Sequence, residues 1–195
     1  MKTLILLLAL ATPAFSQVTP ATPAGVSAGT GGAGAGVGVG AGAGKAKALN
    51  AGDKKFVKDA LDGMYYEMDL AGKAKTSAAI EGTKTVANTL KADLDKVWAD
   101  VAGIASTYDE KIPMALAGGD KAKAEKLGKT TGSKFDKEFL KIVNHESDKL
   151  AKAFESAAKM GADPEVKRIA GQWAPTLKDH AAKIDAAEKE AAKAK

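Results

Sequence analysis

Residues 80–108, IEGTKTVANTLKADLDKVWADVAGIASTY, decide the fold, because their apolar side chains follow one helical repeat throughout. These side chains recur at alternating steps of three and four residues, which places them on one face of an α-helix. The stripe consists of Ile80, Thr83, Ala87, Leu90, Leu94, Val97, Val101, Ile104 and Tyr108. An apolar stripe of this length is stable only when another helix covers it. The segment therefore predicts a long helix, from about Ala78 to Tyr108, with an equally long partner.

Three other stretches carry the same repeat and can supply that partner. The first predicted helix spans about Asp53 to Lys75, with Asp53 as its N-cap. The third long helix starts with Ser133 as its N-cap, and the fourth starts with Asp163 as N-cap followed by Pro164 at the first helical position. Short turns join helices one to two and three to four, and a longer connection joins two to three. This pattern predicts an all-α fold, an antiparallel four-helix bundle.

Smaller features modify this expectation. A short helix is predicted over residues 120–127, inside the longer connection. Pro175 lies within the fourth helix, where a proline removes a backbone donor and clashes with the preceding turn. We therefore expect a kink or an irregular turn at that point. The last ten residues, 186–195, contain only Ala, Lys and Glu, and we expect them to fray.

The N-terminal part of the chain has a different composition. Lys2 precedes an apolar run over residues 4–11, and Pro13 and small residues follow, which predicts a secretory signal peptide over residues 1–16. Residues 17–48 are rich in Pro, Gly and Ala and predict a disordered linker, because such side chains bury too little surface to offset backbone entropy. The bundle domain then spans residues 49–195. We expect a periplasmic or extracellular protein with no transmembrane segment after the signal peptide.

Composition and charge exclude several classes of protein. The 195 residues include no cysteine, so disulfides, thiol nucleophiles, Cys-ligated zinc and iron–sulfur clusters are excluded. The net charge is +5, but acidic and basic residues alternate, as in residues 91–96, KADLDK. Interleaved charges are typical of a solvated helix face rather than of a nucleic-acid-binding stripe. We expect no nucleic-acid partner, while weak association with anionic envelope surfaces stays open.

Several short sequence motifs along the chain resemble those of one bacterial family, and they occur in the same order. They are Gly63-Met64 with Glu67 and Leu70-Ala71, then Gly132-x-x-Phe135-Asp136, then Asn144-His145 with Phe154, then Asp163-x-x-Val166-Lys167-x-Ile169-Ala170, and finally Ala174-Pro175-Thr176-Leu177-x-x-His180. From about Leu49 to Ala187 the chain thus resembles the exported domain of unknown function family DUF4142. The resemblance implies a ferritin-like four-helix bundle in the periplasm or outer membrane, and it implies no particular activity.

The two histidines are the candidate site residues. With the turn between the last two helices near Ala162, His145 lies 17 residues before the turn and His180 lies 18 residues after it. At ~1.5 Å rise per residue, both stand at the same height on adjacent helices. Asp93 lies 16 residues after the turn near Ser77, on the same level. Imidazole and carboxylate ligands suit Zn, Fe, Mn or Cu, so these three residues raise the hypothesis of a divalent metal site, with Glu146 as a helper.

The favoured alternative is structural: histidines hydrogen-bonded to Asp93, to Asn144 or to each other, which fix helix register. Two features argue against the metal. The family that the chain resembles usually has Asp-His in helix two, where this chain has Asp93-Leu94. A ferritin-like di-iron site needs Glu-x-x-His on two helices, whereas Ile142 and Leu177 stand three residues before the two histidines. We therefore expect no obligatory cofactor.

Catalytic motifs are absent from the sequence. There is no G-x-S-x-G, and His145-Glu146 does not continue into H-E-x-x-H. Residues 29–34 match G-x-G-x-x-G formally, but neither the strand nor the helix that the motif needs flanks them. We therefore expect no enzyme but an exported envelope protein that acts by binding or by a structural role. A metal-binding ferritin-like stress protein and a peripheral membrane-surface binder remain the alternatives.

Overall fold

The computed structural model describes residues 48–116 and 118–193, and these form five helices with no strand. The helices are α1 (Ala51–Ser77), α2 (Glu81–Thr107), α3 (Gly118–Leu127), α4 (Gly132–Met160) and α5 (Pro164–Lys193). The predicted all-α class is confirmed, and so is a short helix between the second and third long ones. The predicted signal peptide, and the predicted linker up to residue 47, lie outside the described residues.

The four long helices share one hydrophobic core. Helix α1 packs against α2 and α4, and α5 packs against α4 and α2, while the short α3 lies on α1 and α4. The seam between α4 and α5 is the most extensive of the four, and the seam between α2 and α5 is the least extensive. The largest fully buried side chains are Tyr66, Phe135, Phe139, Phe154, Leu61, Met64, Leu70, Leu94, Leu127, Leu140, Leu177 and Ile184.

The apolar stripe of α2 is buried as its spacing predicts. Its seven central members, from Thr83 to Ile104, are all buried, and Ile80 and Tyr108 at the two ends pack partly buried against the core. Every buried position of α2 except Ala105 belongs to the predicted stripe. The period of the sequence thus fixes which face of this helix is covered.

The helix starts differ from the predicted ones in two places. Asn50, not Asp53, caps α1, because its Oδ1 accepts hydrogen bonds from the backbone N–H groups of Gly52 and Asp53. Thr131 occupies the N-cap position of α4, without a side-chain cap, and Ser133 lies inside the first turn. Asp163 is confirmed as the predicted cap of α5, since its Oδ1 accepts from two backbone N–H groups of the first turn.

The C-terminal half of α5 remains helical where the sequence predicts irregularity. The helix continues through Pro175 without a break, so the predicted irregular turn is wrong, while a kink at this residue stays a prediction. It also extends to Lys193, and Ala191 is buried, so the predicted fraying from residue 186 is wrong over the described part. Ala187 and Ala191 line the same small cavity as Ile80 and Thr83, which places the end of α5 beside the start of α2. Packing against α2 therefore orders residues that helix propensity alone would leave marginal.

None of the helices in the described ranges combines the length and the apolar character that a membrane span requires.

Candidate functional site

A buried histidine and a carboxylate join α5 to α2. The Nε2 atom of His180 lies 2.9 Å from Oδ2 of Asp93, and His180 is only 5% exposed. Lys96 forms an ion pair with Oδ1 of the same carboxylate at 2.9 Å. Hydrogen bonds from Lys96 and, to a lesser extent, from His180 lower the pKa of Asp93 below its usual range. Asp93 is therefore ionised at neutral pH.

The negative charge of Asp93 determines which ring nitrogen of His180 carries the hydrogen that is donated to it. An ionised carboxylate can only accept hydrogen bonds, so Nε2 of His180 donates to Asp93. The other ring nitrogen, Nδ1, is buried and has no hydrogen-bond partner among the described residues. The pair thus holds one imidazole in a fixed orientation at the seam between two helices.

A groove lies beside this pair, between α2 and α5. It encloses about 280 Å³. Its walls are largely apolar, with hydroxyl groups, one ammonium group and one imidazole among the lining residues. These residues are Thr85, Val86, Thr89 and Leu90 of α2 and His180, Lys183 and Ile184 of α5. The groove follows the least extensive of the four helix seams.

His145, the other predicted site residue, does not join the pair. It is exposed and lines a different, wider groove of about 710 Å³ between α4 and α5. Val143 and Ser147 are the buried residues of this turn. His145 lies two residues from each, about 200° around the helix, so it points away from the core. No cluster of three or more His, Cys, Asp or Glu suited to a metal ion occurs within residues 48–116 and 118–193.

The predicted layer of His145, His180 and Asp93 is therefore assembled only in part. Asp93 and His180 meet, and His145 stands apart from them. The count of residues from each turn placed all three on comparable levels, but height does not determine which side of a helix a residue faces. Val143 and Ser147 occupy the core side of α4 at this turn, so His145 faces away from the core.

Glu67, on α1, is a second buried ionisable group. It has no exposed surface, and its Oε2 accepts a hydrogen bond of 2.5 Å from the hydroxyl of Ser147 on α4. Burial raises the pKa of Glu67 to about 8, although the Ser147 hydrogen bond opposes this shift. Its Oε1 is buried without a partner in the described part of the chain. Glu67 is thus mostly a neutral acid at pH 7, inside the core.

The two tryptophans have structural positions. The indole N–H of Trp173 donates to Oδ2 of Asp100 at 2.7 Å, which adds a second polar link between α5 and α2. The ring of Trp98 lies 5.8 Å from that of Tyr65 on α1, and Trp98 and Trp173 both pack partly buried against the core. Neither lines the groove beside His180.

Comparisons with known proteins agree with the fold described above. A crystal structure of a DUF305 fragment from Deinococcus radiodurans is similar to this chain with a TM-score of 0.64. The two sequences are 12% identical, and the alignment covers 74% of this chain and 99% of the other. At this identity the likeness concerns the fold alone. No curated protein matches the chain significantly.

The sequence itself gives the more specific result. The model of the family described as Domain of unknown function (DUF4142) matches residues 39–187, which is most of the chain and includes Asp93, His145 and His180. The match contains the sequence motifs on which the resemblance rests, and it spans all but the last few residues of the helical core. The chain belongs to the DUF4142 family.

Proposed function

We propose that this chain is an exported protein of the bacterial envelope that acts by binding rather than by catalysis, with the groove between α2 and α5 as its ligand site. The observation that carries the proposal is the groove itself. A concave, mainly apolar space with a few polar groups at fixed positions is the usual form of a small-molecule site. Here the fixed polar group is His180, which Asp93 holds by a hydrogen bond of 2.9 Å.

The proposal includes an antiparallel, ferritin-like four-helix bundle. Pairs of contacts support this direction of the helices. Trp173 pairs with Asp100, and seven residues later on α5, His180 pairs with Asp93, which lies seven residues earlier on α2. A forward step on one helix that matches a backward step on the other is expected only when the two run in opposite directions. The order of contacts, in which each long helix touches two others, also fits four helices around one core.

Export is proposed from the sequence. Residues 1–16 have the charged, apolar and small-residue parts of a signal peptide. Residues 17–48 would then link the signal peptide to the domain at 49–195, which would reside in the periplasm or outside the cell. The chain has no cysteine and therefore no disulfide, so its folding does not depend on an oxidising compartment.

The lining of the groove indicates a small, largely apolar ligand with one anionic or accepting group. Val86, Leu90 and Ile184 offer apolar contact. Lys183 offers a positive charge that is 62% exposed, although it also forms an ion pair of 2.6 Å with Asp179. A volume of about 280 Å³ lies just below the usual range for small-molecule sites, which begins at about 300 Å³. The ligand is therefore of the size of an aromatic or short aliphatic acid.

The fluorescent probe anilinonaphthalene sulfonate, an apolar ring system with a sulfonate, tests this site. We expect saturable binding to the wild-type protein. A Thr89→Trp variant places a large ring on an exposed position of the groove wall and should weaken probe binding by at least about tenfold. The matched control is Ala92→Trp, which is exposed on the same helix but does not line the groove.

The control variant should bind the probe as the wild type does. Equal binding by wild type, Thr89→Trp and Ala92→Trp would show that the probe sits elsewhere and would refute the groove as the ligand site. A wild-type protein without saturable binding would refute it as well.

The metal-binding alternative rests on the same His180–Asp93 pair and has less support. A metal at Nε2 of His180 would have to replace the existing hydrogen bond to Asp93, and His145 lies in another groove. Metal analysis of the purified protein separates the two proposals. Stoichiometric metal that is lost in a His180→Ala variant would favour metal binding over the proposal made above.

A further inference from the structure

The excess positive charge of the domain is concentrated in one segment. Residues 118–141 contain seven lysines and four acidic residues. One of the four, Asp136, is fully buried, where its Oδ2 accepts from the backbone N–H groups of Ala79 and Ile80. The rest of residues 48–193 contains 18 basic and 20 acidic residues, a slight negative excess. We call α3 and the first part of α4, residues 118–141, the basic face.

The lysines of the basic face also differ from the others in their pairing. Elsewhere, lysines commonly form ion pairs along their own helix, such as Lys58 with Asp62 at 2.7 Å and Lys91 with Asp95 at 2.9 Å. Within the basic face, five lysines form no ion pair with any residue that the structure describes. They are Lys121, Lys126, Lys129, Lys134 and Lys141. Their charges are therefore less neutralised by the protein itself than charges elsewhere on the surface.

The fold brings the two parts of the basic face together. A shallow groove of about 350 Å³ lies between α3 and α4. Lys123 and Lys126 line it from α3, and Lys141 lines it from α4. Glu138 is the single acidic residue in this lining, and Leu127 and Ile142 complete it. Lysines that are up to 18 positions apart in sequence thus line one groove.

An exposed apolar side chain stands next to the basic face in the chain. Met114 is 85% exposed and precedes α3 by four residues. The hydroxyl of Tyr65 donates to the carbonyl oxygen of Met114 at 3.2 Å, which ties this connection to α1. Clustered lysines with an exposed apolar side chain four residues before α3 in the chain match a surface that is both anionic and apolar beneath its charges, which describes a lipid bilayer better than a soluble polyanion.

We propose that the basic face docks on an anionic lipid bilayer, with its lysines at the phosphate groups and Met114 at the level of the headgroups. Clusters of four to eight basic residues bind anionic membranes at about 1 kcal/mol for each lysine near the surface. The contact is reversible and weakens with salt, because the Debye length at 0.1 M salt is only about 10 Å. This inference is independent of the ligand groove between α2 and α5.

Co-sedimentation with phosphatidylglycerol–phosphatidylcholine vesicles tests the proposal. We expect the full chain to sediment with these vesicles at low salt, and not with vesicles of phosphatidylcholine alone. The variant Lys121→Glu with Lys134→Glu reverses two unpaired lysines in the first turns of α3 and α4, where a negative charge suits the helix dipole. It should reduce binding at least about tenfold.

The matched control reverses two unpaired, exposed lysines outside the basic face, Lys159→Glu with Lys167→Glu. Its net charge is the same, and it should bind as the wild type does. Every variant carries the same residues 1–47, so a difference between variants comes from the substituted positions. Equal loss in both double variants would reduce the effect to net charge and overturn the proposal. Binding to heparin without binding to vesicles would overturn it too, in favour of a soluble polyanion.

Discussion

At the scale of single residues, Glu67 makes the stability of the protein depend on pH. Its pKa is raised from 4.5 to about 8, mainly by burial. The folded protein therefore holds this proton more tightly than the unfolded chain does. The stability that results is complete below about pH 4.5 and is lost as the pH rises towards 8, by roughly 1.4 kcal/mol per pH unit.

Glu67→Gln should remove this pH dependence, because glutamine keeps the shape and cannot ionise. We expect the free energy of unfolding of the wild type to fall between about pH 5 and about pH 8, while that of the variant stays nearly level. Urea unfolding at several pH values measures this difference. Glu190→Gln, at an exposed position, is the control and should retain the wild-type slope. A wild-type slope in Glu67→Gln as well would contradict the buried, protonated state of Glu67.

Asp53 is the second residue with a large expected effect. Its carboxylate accepts hydrogen bonds from the backbone N–H groups of Ala162 and Asp163, the latter at 2.7 Å, and so ties the start of α1 to the turn between α4 and α5. We expect Asp53→Ala to lower the free energy of unfolding by about 2 kcal/mol, since buried donors lose a charged acceptor. Asp59→Ala, on the exposed side of α1, should cost less than about 1 kcal/mol. Equal effects in urea unfolding would argue against the role of Asp53.

Asp53 and His145 also show what the sequence leaves open at this scale. Asp53 has the residue type and position of an N-cap, but Asn50 caps the helix instead. The carboxylate of Asp53 accepts hydrogen bonds from a turn more than a hundred residues away in the chain. His145 has the right height but the wrong side of α4. Both outcomes depend on partners from other helices, which local sequence patterns do not contain.

At the scale of elements, α3 is the least anchored helix. It buries only Ala124 and Leu127. Two glycines near its ends lie in the left-handed region: Gly118, its first residue, with φ of 55°, and Gly132, the first residue of α4, with φ of 67°. Few buried contacts and such flanking turns are typical of segments that open at low free-energy cost.

Hydrogen exchange should therefore be faster in α3 than in the long helices. We expect the amides of residues 120–127 to exchange well before those of the buried parts of α1 and α4, because α3 can open without disturbing the common core. Exchange measured by mass spectrometry on the native protein provides the comparison. Protection of α3 equal to that of α4 would show that α3 is part of the same cooperative unit.

The four long helices were largely predictable, and the physical reason is local. The three-and-four spacing of residues such as Leu90, Leu94 and Val97 specifies both the helix and its buried face. The helix ends were less predictable, as Ser133 and the C-terminal residues show. At those positions the outcome depends on what the end packs against, and Ala191 is ordered by its place beside the start of α2.

At the scale of the whole molecule, the unequal seams between helices create the candidate site. The most extensive seam, between α4 and α5, carries the wide groove with charged lining residues at His145. The least extensive seam, between α2 and α5, carries the smaller apolar groove beside His180. The sequence indicated that Asp93 and His180 share a level, but not that a groove lies next to them. The extent of contact between each pair of helices depends on the volumes of all the side chains in the core. The apolar stripe of a single helix does not contain that information.

The proposed function rests on this adjacency of α2 and α5, and one crosslinking measurement tests it most directly. Because the chain has no cysteine, Thr89→Cys with Lys183→Cys introduces two thiols, both on the walls of the groove. We expect an intramolecular crosslink with a short bismaleimide for this pair. We expect none for Thr89→Cys with Lys167→Cys, because residue 167 lies about 24 Å from residue 183 along α5. Failure of the first pair to crosslink, or equal crosslinking of both pairs, would contradict this adjacency.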